Sequence, residues 1–591
     1  MPSITINGVQ CSFEPGQTVL QVANANGVDI PYYCYHDGLS VPAQCRICLA
    51  EMWTPNQRAG GRLEPVAGGK LMPTCSTEAS DGMVVRSDSP KSVANQKAVM
   101  EYLLINHPLD CPVCDQAGEC YLQDYSYKYG RGVSRFQEQK VKQPKKDLGP
   151  HVYLYADRCI MCTRCVRFTR EVSGTGELTI DGRGNKSEID VFPGVALDNE
   201  LSANVIDLCP VGALLDKDFL FTQRVWFLKT TPSIDGITAS GDNIWFEHNE
   251  GKVYRVKPRE NLHINKYWIT DEVRYGWKHI HSEDRLSSPM RREYGSLIEC
   301  GYEAAATDAV EGLQNAVRKG GRVALLVSPM LTCEEAYQLA IMAREIDPHA
   351  ILGVGPVPFV GEDKVFPPGL KKNNPKAFVM RAEKAPNARG VRRVLKAICE
   401  AGGGEVLEFD DFVEALRHNS EIAAVVLTGN YPSDWATDDF VSVLGDRFRV
   451  LIDTLPSAVL KGSSVVLPGA TWAEKAGTFE NATGTLQAFE LAVPVQEGAR
   501  AEGQIATDLM VLLGVVEPNI DDIEIYSVID EQPGFVPTAR ETRLKRTKLF
   551  NAANTRTEMA DRYPGLTIML TDVQKPKVDG RHKPDMQVVE L

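Results

Sequence analysis

The 591-residue sequence has no long apolar run, no excess of positive charge and few cysteines beyond residue 210. Stretches such as "AAVVL" and "SVVLP" are too short to cross a bilayer, so no direct membrane insertion is expected. A formal net charge of −14 argues against a nucleic-acid partner and against docking on anionic lipid through charge alone. The basic stretches "KVKQPKK" (140–146) and "RLKRTK" (543–548) read as solvated linker or helix faces. The opening "MPSITINGVQ" has neither a basic segment nor an apolar one after it, so no secretory signal is expected and the compartment reads as cytoplasmic. No dinucleotide fingerprint, flavin motif, quinone site or nucleophile–base pair stands out. "GVGPVP" (353–358) is a lone Gly-rich fragment with proline where a helix should open. No catalytic residue is therefore assigned.

Fifteen cysteines are present, twelve of them in the first 209 residues, within a chain whose length and 43% hydrophobic content suit three or more folded domains. Without an export signal, clustered thiols read as metal ligands or redox centres rather than disulfides.

The first group follows a β-rich opening. "ITINGVQCSF" alternates around an Asn-Gly pair, a hairpin signal, and "QTVLQVANANG" reads as a helix ended by Gly27. Hairpin, helix and cysteine loop are in the order of a plant-type ferredoxin, a β-grasp fold. Cys34, Cys45, Cys48 and Cys75 can hold a two-iron cluster, with the close pair Cys45 and Cys48 at the separation one iron needs; four thiolates can equally hold zinc. The Gly- and Pro-rich stretch between Cys48 and Cys75 reads as a hairpin or excursion that brings Cys75 back, and Cys11 reads as a small core residue on a strand.

"HPLDCPVCDQAGEC" (107–120) sets His107 before Cys111, Cys114 and Cys120. By spacing alone this is a zinc site, a four-iron site with a histidine corner, or three thiols beside a structural histidine. "DRCIMCTRCVRF" (157–168) gives Cys159, Cys162 and Cys165 the run of bacterial ferredoxins, and Cys209-Pro210 supplies the distant fourth thiolate of a single four-iron cluster.

Taken together, "PYYCYHDGLSVPAQCRIC", "CPVCDQAGECYLQ" and "RCIMCTRCVRF" resemble, in order, the two-iron, histidine-ligated and ferredoxin motifs of the large iron–sulfur subunit of respiratory complex I, the NADH:quinone oxidoreductase. The resemblance covers about 220 residues. It implies one 2Fe-2S cluster on Cys34, Cys45, Cys48 and Cys75, and two 4Fe-4S clusters, on His107, Cys111, Cys114 and Cys120 and on Cys159, Cys162, Cys165 and Cys209. Ala43 and Ala117 depart from the small residue, usually glycine, that the family has there, and the gap before Cys75 is long. The implied function is a relay of single electrons from a flavin- and NADH-binding subunit to quinone-side iron–sulfur subunits, within a complex peripheral on the inner face of the cell membrane. The alternative is the electron-input subunit of an NAD-linked formate dehydrogenase or hydrogenase.

Residues 221–290 resemble the small domain of molybdopterin oxidoreductases. Asp235, Thr238, Asp242 and Thr270 stand where a cluster's cysteines would, so a metal-free domain built around Trp245, Phe246, Tyr254 and Trp268 is expected. Farther on, "RVALLVSP", "AAVVLTG" and "FRVLIDT" alternate with helical stretches, which argues for a helix-covered parallel sheet. "SVVLPGATWAEKAGTFENATGTLQ" (464–487) resembles a molybdopterin-oxidoreductase stretch. Cys300, in "SLIECGYEAAA", reads as part of a helix, and Cys333 and Cys399 as buried helix residues; no molybdenum cofactor is expected.

The expected architecture is multidomain, α+β and α/β. It comprises a two-iron β-grasp domain (1–90), a His/Cys3 helical segment (91–140), a ferredoxin-like four-iron domain (141–220), the small molybdopterin-oxidoreductase-like domain without cluster (221–290), a degenerate α/β scaffold of that class (291–545), and an extended C-terminal arm suited to wrapping a partner (546–591).

Overall fold

The computed structural model describes residues 1–516, 544 and 549–576. The chain forms two compact units, one of residues 1–228 with 365–377, the other of the remainder.

The first unit opens with strands Ser3–Ile6 and Val9–Ser12, joined by Asn7 and Gly8 with φ of 50° and 85°. Positive φ at both central residues matches the right-handed twist of the two strands. Helix Val19–Ala25 starts in a capping box of Thr18 and Gln21, and its Val19, Leu20 and Val22 pack with Ile4, Ile6 and Val85. The stretch after Cys48 is a long strand, Leu49–Asn56, that turns back through Arg62–Pro65 and then Met72–Pro73. Because Leu49 pairs with Pro73, Cys75 returns beside Cys48.

Helix Pro90–Leu104, capped by Ser89 with proline at its first position, leads into the His107 loop. Its Tyr102 hydroxyl donates to the Cys45 carbonyl and its Asn95 amide to the Arg46 carbonyl. The ferredoxin-like region has a three-stranded sheet (Lys145–Asp147, Val152–Tyr155, Leu214–Asp216), a hairpin (Leu178–Asp181, Glu188–Val191), and short helices Arg164–Phe168 and Asn204–Leu208 that carry or precede cysteines.

The second unit begins with an antiparallel meander, Lys229–Ile234, Asn243–Asn249 and Lys252–Pro258. Trp245, Phe246 and Trp268 are buried there and Tyr254 is half-buried; Phe246 packs on Trp472 from a later loop. Next comes an eight-stranded sheet. Its six parallel strands run, in spatial order, Val465–Pro468, Phe448–Asp453, Ile422–Thr428, Arg322–Val327, Ile351–Val354 and Val406–Leu407. An antiparallel edge is added by Met290–Glu293 and Ser296–Glu299. Alternate side chains of the central strands feed two cores: Val323, Leu325 and Val426 on one face, Ala324, Leu326 and Val425 on the other. Burial on both faces explains their unbroken apolar runs.

Two elements differ from expectation. "SLIE" is a strand with Cys300 just after it, because it pairs residue for residue with Met290–Glu293; the helix starts only at Tyr302. The expected extended arm is, over residues 549–576, helix Ala552–Arg562, the turn Pro564–Leu566 and the short Ile568–Thr571, which place Met559, Leu566 and Met569 in the sheet domain's core. The rest of that arm (577–591), and the basic stretch 543–548 apart from Leu544, lie outside the described residues.

Candidate metal centres

In the first loop the thiols meet as two pairs. Cys34 Sγ lies 3.5 Å from Cys45 Sγ, and Cys48 Sγ 3.5 Å from Cys75 Sγ. Two thiolates on one tetrahedral metal, each about 2.3 Å from it, stand ~3.7 Å apart, so each pair has the spacing of one iron's ligands. The adjacent pair Cys45 and Cys48 is not the couple, contrary to the reading from spacing. Ala43 and Arg46 take φ of 50° and 60°, and the backbone turns sharply between successive thiols. Ala43 thus holds a left-handed conformation that glycine adopts without strain, which is the physical content of the family's preference there. Within each pair the neighbouring thiol donates to the other sulfur, lowering Cys45 to about 5 and lowering Cys48 as well, while Cys34 and Cys75 are raised. Cys11, on its strand, is buried apart from this loop in the β-grasp core.

Cys159, Cys162, Cys165 and Cys209 line one small enclosed pocket with Ile160, Ile189 and Val211. Met161 and Thr163, between the cysteines, have φ of 54° and 63°, and the Met161 amide donates to Cys159 Sγ at 3.3 Å. Burial raises all four thiols, Cys162 to about 11. Cys162 and Cys165 are buried and Cys159 and Cys209 half-buried, and thiols raised in this way become thiolates most readily against a positive metal.

His107, Cys111, Cys114 and Cys120 line a cleft of about 850 Å³. Cys114 and Cys120 are buried and Cys111 is exposed. His107 Nδ1 is buried with no hydrogen-bond partner, and burial with the nearby charges of Arg158 and Lys140 lowers the imidazole to about 4. A neutral ring with an orphaned nitrogen suits a metal ligand. Among the described residues no three His, Cys, Asp or Glu side chains converge tightly enough to hold a single ion.

Several residues not singled out from the sequence tie these sites together. Arg158, buried, bonds Asp110 at 2.9 Å, stacks 3.9 Å over Tyr155 and donates to the Gly212 carbonyl. A Cβ on Gly212 would stand 2.2 Å from Cys114 Sγ, so only glycine lets the Cys209 loop pass that thiol. Arg164 and Arg167 are buried between the first and third loops. The only sequence signal for these four is their position within two or three residues of a cysteine or in its loop.

Residues 2–90 match a 2Fe-2S iron–sulfur cluster binding domain, 96–135 an NADH-ubiquinone oxidoreductase-G iron–sulfur binding region, and 149–215 the ferredoxin-like domain of NADH-quinone oxidoreductase subunit 3. Residues 228–278 match an NADH-ubiquinone oxidoreductase NDSU1/NuoG-like 4Fe-4S domain, and 393–511 a molybdopterin oxidoreductase model. The G subunit of the NADH-quinone oxidoreductase of Rickettsia felis is 36% identical over 58% of this chain and 49% of its own length. The mitochondrial NADH-ubiquinone oxidoreductase 78 kDa subunit of Neurospora crassa is 38% identical over 58% of this chain and 44% of its own. The chain is a relative of the large iron–sulfur subunit of NADH-quinone oxidoreductase. It spans about half the length of the curated relatives it matches. A solved NAD+-reducing [NiFe]-hydrogenase in the H2-reduced state aligns at 30% identity over 38% of this chain and 91% of that one, with a TM-score of 0.33.

Two of the family models name groups whose residues can be checked here. For the 4Fe-4S domain model, the four positions carry oxygen donors, and those of Asp235, Thr238 and Thr270 are engaged elsewhere, while one buried Asp242 oxygen has no hydrogen-bond partner. Asp235 accepts from the amides of Ile237 and Thr238 and from the hydroxyls of Thr238 and Ser240, while Thr270 caps helix Asp271–Tyr275. No thiolate is there, and the residues do not fit a cluster. In the molybdopterin-like domain, ligands of such sheets bind outside the carboxyl ends of the strands. Here Lys475 bonds Glu335 at 2.9 Å and Glu502 at 2.7 Å. Asn430 donates to Glu502 and to the Ala470 carbonyl, and Asp453 accepts from Trp435 and the Asn430 amide. These side chains are buried and bonded to one another at the strand ends.

Proposed function

We propose that this chain is the electron-transfer subunit of an NADH:quinone oxidoreductase. It holds one 2Fe-2S cluster on Cys34, Cys45, Cys48 and Cys75, and two 4Fe-4S clusters, one on His107, Cys111, Cys114 and Cys120, the other on Cys159, Cys162, Cys165 and Cys209. Each cluster, when bound, accepts and releases one electron without bond chemistry on the protein. The chain's own residues hold the sulfurs, exclude water with Ile160, Ile189 and Val211, and keep the loops close through the Tyr102 and Arg158 bonds. In the assembly the chain receives electrons from the flavin- and NADH-binding subunit and delivers them to quinone-side iron–sulfur subunits, and those partners keep it on the inner face of the membrane.

The arrangement of the first loop's thiols in two pairs at 3.5 Å carries this reading, because a two-metal core needs that pattern and a single zinc does not. Metal analysis of anaerobically purified protein tests it. Iron without stoichiometric zinc or molybdenum is expected; zinc in place of iron would replace the relay with a structural site.

A further inference from the structure

Two arginines of the third loop lie in the interior without a bonded carboxylate. Arg164 and Arg167 are 4% and 9% exposed, and neither makes an ion pair among the described residues. Every oxygen they bond is uncharged. Arg164 donates to the Tyr35 carbonyl at 2.6 Å and the Leu208 carbonyl at 3.3 Å, and its Nε has no partner. Arg167 donates to the carbonyls of Cys34, Cys162 and Ser40, and to the Thr163 hydroxyl. Glu171 is near enough for its charge to act on Arg167, but its carboxylate accepts from the Ser40 amide and hydroxyl instead.

A buried guanidinium without a paired opposite charge is costly, since desolvation removes its water and neutral carbonyls return only part of that energy. Arg167 also feels the like charge of Arg164, and the remaining groups that face these two arginines are thiols: Cys162 and Cys209 for Arg164, Cys162 and Cys34 for Arg167. Arg164 lies between the residue after Cys34 and the residue before Cys209, and Arg167 touches the backbone of both Cys34 and Cys162. Each guanidinium therefore spans the two-iron loop and the ferredoxin-type loop at once.

We infer that Arg164 and Arg167 are the counter-ions of the first and third centres, shared between them, and that they raise the reduction potential of both. This rests on the cluster assignment proposed above. One electron added to either centre adds one negative charge and no proton, and a fixed positive charge in a dry interior favours that state. A shared charge also holds the two potentials together, so that neither centre becomes a trap for the electron. Both are positioning residues: they touch the ligand loops, not a substrate.

The test is a potentiometric EPR titration of the intact complex carrying Arg164→Gln or Arg167→Gln. Arg170→Gln, an exposed neighbour, serves as the control for net charge. Each buried variant should lower the midpoint potentials of both the two-iron and the all-cysteine four-iron centre, leaving the His107 centre unmoved; the control should leave all three in place. A buried variant that shifts no more than Arg170→Gln, or moves only one of the two centres, overturns the inference. If a glutamine variant loses iron, lysine at the same position decides. Wild-type potentials with lysine support the charge role, whereas lowered potentials or renewed loss of iron overturn it. Absence of the two signals from the unaltered complex would instead refute the cluster assignment.

Discussion

Residues 1–228 and the sheet domain of the second unit both bury polar and charged groups, but they balance them differently. In the sheet domain several buried charges meet their opposites within the chain: Lys475 lies between Glu335 and Glu502, Arg285 meets Glu474 at 3.0 Å, and Arg556 meets Glu334, while Asp453 is held by neutral donors and Arg449 bonds the Gly445 carbonyl. In the first unit, buried thiols and two buried arginines have no such partner among the described residues. Ion pairs closed within the chain suit a scaffold, whereas unpaired thiols and arginines gathered around the cysteine loops suit a group from outside. The contrast is informative because both regions match models of redox families, and only the first carries clustered cysteines.

The largest expected effect is loss of iron. Anaerobic chelation should abolish hydrogen-exchange protection across the loops around Cys34–Cys48 and Cys159–Cys165, since metal binding in such sites is folding free energy. Strands Arg322–Val327 and Phe448–Asp453 should keep theirs; equal loss in both regions would break the comparison. Lys475→Met makes the reverse change. It leaves two buried carboxylates uncompensated and should destabilise the second unit by about 3–5 kcal/mol, seen as a lower thermal midpoint with the EPR signals of the first unit intact. Gly212→Ala should disturb the His107 centre selectively, at a cost of about 1–3 kcal/mol, because the added methyl meets Cys114 Sγ. Retention of that signal, unchanged, would mean the Cys209 loop yields freely. Thr332→Ala removes the capping box of helix Cys333–Ile346 and should cost about 1 kcal/mol in denaturant unfolding of the second unit, with no spectroscopic change.

What is legible in the sequence follows from what fixes each feature. Cysteine spacing shows there because one cluster constrains a short loop, and the parallel strands show because burial on both faces demands unbroken apolar runs. The pairing of Cys34 with Cys45 is not visible, since it depends on left-handed turns at Ala43 and Arg46. Arg164 and Arg167 look like surface charges until the first loop is folded against them. "SLIE" reads as helix because four residues carry too little periodicity to separate strand from helix. Residues 552–571 read as an extended arm because their buried side chains are few and widely spaced among polar ones.

The central claim is that three clusters sit on twelve residues of one chain. Low-temperature EPR of the anaerobic complex after addition of NADH tests it most directly. One two-iron and two four-iron signals are expected, with about ten iron atoms per chain. Zinc-loaded, EPR-silent protein, or a spectrum in which His107→Ala leaves every signal and potential unchanged, would contradict it.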